Sequence, residues 1–230
     1  MLAPMTESPD TAAALDDDAL TERGLMLPPP GRPAVDRVML LACGALAREI
    51  LALKAANGWA HMDLECLPAK LHNRPEQIPG AVRAKARAAR ARGYGRIFVV
   101  YADCGTGGQL DAVCAEEGLE RVPGPHCYAF YDGLDAFAAR AEAEIGAFYL
   151  TDFLARQFDA LVWRGLSLDK HPELLEMLFG HYDRLVYLAQ TEDPALDATA
   201  RDAAARLGLA YERRVTGYGD LAAALARAAR

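Results

Sequence analysis

The sequence predicts an α/β protein with a mainly parallel sheet covered by helices on both faces. Two observations carry that expectation. Apolar runs of strand length recur along the chain, and after a polar loop most are followed by a helical segment, two of these closed by glycine. With 230 residues, 52% hydrophobic and 25% charged, the chain can bury one substantial core or two smaller ones.

Residues 1–36 contain Pro4, Pro9, the acidic run Asp16 to Asp18 and the tract Pro28-Pro29-Pro30-Gly31. Only a short helix is expected there, around Ala12 to Leu20, and the composition reads as a flexible N-terminal arm. Residues 37–230 have the texture of an α/β domain, read as one unit or as two lobes, 37–145 and 146–230. Val38-Met39-Leu40-Leu41-Ala42 predicts a buried strand near 37–42, followed by Cys43-Gly44 and a helix through Leu46, Ile50, Leu51 and Leu53. Ile97-Phe98-Val99-Val100-Tyr101 predicts a strand near 96–102, then the loop Asp103 to Gly108, then a helix from Gln109 to Glu117 ended by Gly118. A weaker strand is expected near 159–164, from Leu161-Val162-Trp163. Leu185-Val186-Tyr187-Leu188 predicts a strand near 184–189, and a helix follows to Leu207, ended by Gly208. Short strands at Glu120 to Val122 and Ala210 to Val215 complete the second and third units, which read as diverged copies of one Rossmann-like β-α-β pattern. Right-handed crossovers place the loops after the strands on one edge of the sheet, where ligands of such sheets bind.

A net charge of −7 argues against a nucleic-acid partner, whose affinity comes from clustered cations. No run of about 18 apolar residues reads as a membrane span, and no secretory start is present, so a cytoplasmic protein is expected. Five cysteines, an odd number spread through a core-forming chain, argue for free thiols rather than a disulfide scaffold. A homo-oligomer is compatible with all of this.

The thiols supply the sharpest chemical expectation. Cys43, Cys104 and Cys127 stand in Gly- or Pro-flanked segments at strand ends, whereas Cys66 and Cys114 sit inside structured runs and read as core. Thiolates suit zinc or an iron–sulfur cluster, and three of them leave a coordination position for His72, His126 or an exogenous ligand. Gly44 and the loop Gly105, Thr106, Gly107 and Gly108 are candidate cofactor-binding positions, because glycine-rich backbone before a helix can point N–H groups at an anion. The loop has neither the GK[ST] ending of a P-loop nor the GxGxxG spacing. Arg74, beside His72 in the loop Leu67 to Pro75, is a further anion-binding candidate. The basic positions Arg83, Lys85, Arg87, Arg90 and Arg92 read as a solvated helix face. Cys104 before a helix N-terminus is also the best-placed candidate nucleophile, since that end favours thiolate.

The ordered pieces ACGAL, LPAKLHNRPEQI, YADCGTGG and PGPHCYAFYDG resemble a bacterial and archaeal family, domain of unknown function 1638, from about Arg37 to about Leu225. The family's Cys-Gly, Leu-His, Cys-Gly and His-Cys-Tyr pattern matches Cys43-Gly44, Leu71-His72, Cys104-Gly105 and His126-Cys127-Tyr128. The resemblance implies a metal or cofactor protein associated with corrinoid-dependent methyl transfer, including transfer from methylated amines. The leading expectation is a metal- or iron–sulfur-binding protein with a three-cysteine site in corrinoid and one-carbon metabolism, partnered by a small-molecule ligand or a corrinoid methyltransferase system. Two alternatives stand beside it: a small-molecule or corrinoid-binding accessory protein without a metal, and a thiol enzyme using Cys104.

Overall fold

The structure is a computed structural model and describes residues 15–27 and 36–230. Its first sheet holds β1 (Leu25–Met26), β2 (Val38–Cys43), β3 (Met62–Leu67), β4 (Arg96–Val100) and β5 (Glu120–Arg121) in the order β1-β3-β2-β4-β5. Every pairing is parallel except that of β1 with β3. A second sheet, all parallel, holds β6 (Ala147–Leu150), β7 (Arg184–Ala189) and β8 (Ala210–Val215) in that order.

All six residues of β2 are buried, which is why it reads as an unbroken apolar run: both faces of the sheet are covered. Met39 and Leu41 pack with Ala86, Ala89 and Tyr94 on one face, and Leu40 packs in the cluster of Leu46 and Ile50 on the other. That second cluster also contains Leu150, Leu185 and Tyr187 of the second sheet. The two sheets therefore share one core. Among the described residues no helix is long and apolar enough to cross a membrane.

The described part of the N-terminal segment is packed rather than free. Helix α1 (Asp17–Glu22) buries Leu20 and Thr21, and Arg48 and Arg156 both pair with Asp17. Gly44 is where α1 lies on the domain: a Cβ there would stand 2.6 Å from the Leu20 carbonyl oxygen. The expectations for residues 1–14 and 28–35 lie outside the described residues.

Helix α2 (Ala47–Asn57) follows β2, and α3 (Ile78–Arg92) precedes β4. The basic positions of α3 form ion pairs rather than a merely solvated face. Lys85 and Arg92 hold the buried Glu65 of β3, while Arg83 reaches Glu116 and Arg87 and Arg90 reach Glu117. Those carboxylates lie on β3 and on α4 (Gln109–Glu117), which the helix alone does not reveal. Strand β3 itself was not expected. Its Asp63 and Glu65 break the apolar run but are buried against cations, Asp63 accepting from Arg37 and Tyr94.

The strand expected near 159–164 is instead a single π-helical turn, Asp159–Trp163. Three apolar residues are too few to separate strand from helix. Here Leu161 and Val162 reach the core from the chain just past a short helix, with no strand beside them. The paired units are present as parallel strand pairs, β4 with β5 and β7 with β8, whose connecting helices end at the left-handed Gly118 and Gly208.

Leu20 is 1% exposed. Leu20→Ala is expected to cost about 2–4 kcal/mol in denaturant unfolding, and an unchanged unfolding midpoint would mean that α1 does not contribute to the core.

Candidate functional site

The carboxyl ends of three parallel strands, from both sheets, meet at one cavity. Cys43 is the last residue of β2, Tyr101 follows β4, and Thr151 follows β6. Cys104 lies three residues beyond Tyr101, and Cys127 is the first residue of α5 (Cys127–Asp132). Two main-chain hydrogen bonds join the loops after β4 and β5: Asp103 donates to the Gly124 carbonyl at 3.0 Å and Cys104 to that of Pro125 at 2.8 Å. They carry Cys104 to the start of α5, where it meets Cys127.

The cavity is lined by Cys43, Cys104, Cys127, His72, Tyr101 and Tyr131, with Thr151 and aliphatic groups including Leu154 and Leu161. Its volume is about 20 Å³, on a measure by which one water needs about 10–15 Å³. That is room for a single ion or one water. Among the described residues, no three of His, Cys, Asp and Glu are grouped so that they could hold a metal ion.

The thiols are electrostatically unequal. A hydrogen bond from Cys127 favours the Cys104 thiolate and lowers its pKa despite burial, and the same bond raises that of Cys127. Burial pushes Cys43 up to about 11, with the charge of Cys104 adding to the effect. Cys104 is also held at φ +50°, in the left-handed region uncommon for a residue with a side chain. His72 is exposed on its outer side, so it marks where the cavity meets solvent. Desolvation of its ring, and His126 nearby, lower its pKa.

Two lining hydroxyls are buried. Tyr101 and Tyr131 are each 2% exposed; the Tyr131 hydroxyl makes no hydrogen bond, and that of Tyr101 has no nitrogen or oxygen partner. Burial, and the Cys43 thiol beside it, raise the Tyr101 pKa. Each unmatched buried hydroxyl costs roughly 1–3 kcal/mol. Behind them Glu49, also buried, has an unpartnered Oε2, and burial pushes its carboxyl up to about 7 against the pull of Arg156 and Arg48.

The sequence candidates divide accordingly. Cys43, Cys104, Cys127 and His72 line the cavity; His126 does not, and stacks on Tyr128 with ring centroids 4.8 Å apart. Gly44 is a packing position beneath α1. The loop expected to face an anion turns inward: the Thr106 hydroxyl and the Gly107 and Gly108 N–H groups donate to Asp103 at 2.6–3.1 Å. Its donors are spent on its own carboxylate, and Gly105 with them serves the turn that presents Cys104. Arg74 lines a neighbouring cavity instead. Sequence reasoning missed Tyr101, Tyr131, Thr151, Leu154 and Leu161. Only Tyr131 carried a signal, standing four residues after Cys127 and so on the same face of α5. Cys66 and Cys114 are buried and do not line the cavity.

A family model described as protein of unknown function (DUF1638) matches residues 66–225. No curated protein and no solved structure matches the chain. The matched stretch includes His72, Tyr101, Cys104, Cys127 and Tyr131, while Cys43 precedes it.

Two outcomes follow from these charges. The rate of Cys104 alkylation by iodoacetamide, followed by peptide mass spectrometry, is expected to rise at lower pH than for a free cysteine. Cys127→Ala is expected to shift that profile upward, and an unmoved profile would remove Cys127 as the stabilising donor. For Glu49 the folded pKa of about 7 lies above the ordinary 4.5, so the native state loses stability as pH rises through that window, by up to about 3 kcal/mol. Glu49→Gln is expected to abolish that loss in denaturant unfolding at pH 5 and 8; equal pH dependence in both proteins would rule the effect out.

Proposed function

The chain belongs to the DUF1638 family, and we propose that its cavity is a thiolate centre that takes one soft metal ion through Cys43, Cys104 and Cys127, with His72 as the fourth donor. The observation that carries the reading is convergence: three thiols and an imidazole from four separate segments line one cavity of ion size, and no carboxylate lines it. Sulfur and imidazole donors without oxygen anions suit zinc or copper(I) rather than magnesium or calcium. The small volume favours one ion over an iron–sulfur cluster, and it limits any corrinoid to the outside of the cavity. Since no three of these side chains are grouped to hold a metal as they stand, binding would require them to turn onto the ion. A bound cation would also release the proton of Cys43, whose burial otherwise holds it as a thiol. Free thiols are at home in a reducing, cytoplasmic compartment.

A second reading is a thiol enzyme with Cys104 as nucleophile, favoured by the hydrogen bond from Cys127 that stabilises its thiolate. A link to corrinoid-dependent methyl transfer rests on the family resemblance alone.

Elemental analysis and absorption spectra of anaerobically purified protein test the metal reading. About one zinc or copper per chain is expected, lost in Cys43→Ser, Cys104→Ser and Cys127→Ser and retained in Cys66→Ser and Cys114→Ser. Metal-free protein that also fails to take up added zinc would leave the thiol reading in first place.

A further inference from the structure

We infer that a small organic carboxylate binds in the cavity between helix α1 and the segment Lys70 to Gln77, its charged group on Arg74 and its carbon chain on Leu71, Ala160 and Leu161. The inference is independent of the thiol centre, which it neither uses nor requires.

The cavity has a volume of about 390 Å³, within the range of about 300–1,000 Å³ usual for small-molecule pockets. Three parts of the chain wall it: Thr21 and Glu22 of α1, the segment from Lys70 to Gln77, and the π-helical turn with Gly165 just past it. Each wall is pinned. The Thr21 hydroxyl, in a residue 2% exposed, donates to Gln157 Oε1 at 3.1 Å. Asn73 Nδ2 donates to the Leu161 carbonyl at 2.8 Å, and Gly165 lies so close that a Cβ there would collide with that oxygen. Main-chain bonds from the Arg74 N–H to the Leu71 carbonyl at 2.9 Å and from the Gln77 N–H to the Arg74 carbonyl at 3.0 Å fix the backbone on either side of the guanidinium. A cavity whose walls are already held loses little freedom when a ligand enters.

Charge selects the ligand. Of the two cations that line the cavity, Lys70 is matched at 2.8 Å by Glu22, the lining carboxylate. Arg74 makes no ion pair and no side-chain hydrogen bond among the described residues. Glu76, two positions on, accepts from the Gln77 amide at 3.5 Å and does not line the cavity. What remains is one positive charge carried on a planar donor fork. That fork matches the two oxygens of a single carboxylate. A phosphate dianion would find one unmatched cation for its two charges. Leu71, Ala160 and Leu161 add a hydrocarbon wall to the same cavity, which suits a ligand with a short carbon chain beside its charged end.

Titration of the full chain with butyrate, followed by nuclear magnetic resonance of the backbone amides, tests this. Saturable shifts are expected at Asn73, Arg74 and Gly165. Butyramide, the neutral twin, is expected to bind about tenfold more weakly, the scale of one charged hydrogen-bonded contact. Acetate is expected to bind about tenfold more weakly for want of two methylenes on the apolar wall. Arg74→Gln should lower butyrate affinity about tenfold and leave that of butyramide unchanged. Because Arg74 is exposed, the same substitution should leave the unfolding midpoint where it is. Shifts that never saturate, shifts largest at Cys104 and Cys127, equal affinity for butyrate and butyramide, or undiminished binding in Arg74→Gln would each overturn the inference. Tighter binding of inorganic phosphate than of butyrate would overturn the choice of carboxylate. Metal content is read separately: metal without Arg74-dependent binding ends this inference alone, and Arg74-dependent binding in metal-free protein leaves it standing.

Discussion

Two main-chain hydrogen bonds, from Asp103 to Gly124 and from Cys104 to Pro125, hold the site together. They prolong the parallel pairing of β4 with β5 past the ends of both strands, after the bond from Val122 to Val99 at 3.0 Å. The direction of donation follows from composition. Pro123 and Pro125 have no N–H to give, so this side of the pairing offers carbonyls and the Cys104 loop supplies the donors. Without that pairing the two cysteines, 23 positions apart in the chain, would end on separate loops. With it, one thiol donates to the other, and a difference in acidity arises between two chemically identical groups.

The second sheet closes the cavity from the other side, and its geometry depends on one buried carboxylate. Asp152, 1% exposed, accepts from the Tyr187 hydroxyl, from the Gln190 and Thr191 N–H groups and from the Thr191 hydroxyl, while its own N–H donates to the Gln190 side chain. That network ties the loop after β7 to the chain after β6, where Thr151 caps the following helix by accepting from Leu154. Thr151 and Leu154 then stand against the thiols of the first sheet. Packing and chemistry are coupled here, because the apolar wall that completes the core is also what desolvates Cys43 and makes its thiolate costly.

Charge elsewhere in the molecule is largely matched. Glu65 is held by two cations, and the nearly buried side chain of Asp132 by Arg140 and Arg214. Removing one partner from such groups would strand a buried charge. Among the described residues, the buried side-chain atoms left without a nitrogen or oxygen partner are the Tyr101 and Tyr131 hydroxyls at the cavity, the Oε2 atom of Glu49, and the Nε atoms of Arg83, Arg92, Arg140 and Arg156.

The sequence by itself determined the elements whose signals are local. Helix Gln109–Glu117, the end of the next long helix at Gly208, and strands Arg184–Ala189 and Ala210–Val215 coincide with the expectation; Arg184–Ala189 is covered on both faces and so reads as a continuous apolar run, and a left-handed glycine closes each helix. The same logic separated Cys43, Cys104 and Cys127 from Cys66 and Cys114. Only the tertiary structure decided what those residues meet. Strand order brings Tyr101, Thr151 and Leu161 to the thiols across up to 118 positions of chain, from Cys43 to Leu161. A short apolar run became a π-helical turn because burial asked for Leu161 and Val162 without a neighbouring strand. The glycine loop, open to an anion on paper, is filled by Asp103, since hydrogen-bond donors go to the nearest acceptor that folding supplies. Local spacing determines an element, whereas convergence of side chains is a property of the pairings between elements, which no single stretch of sequence contains.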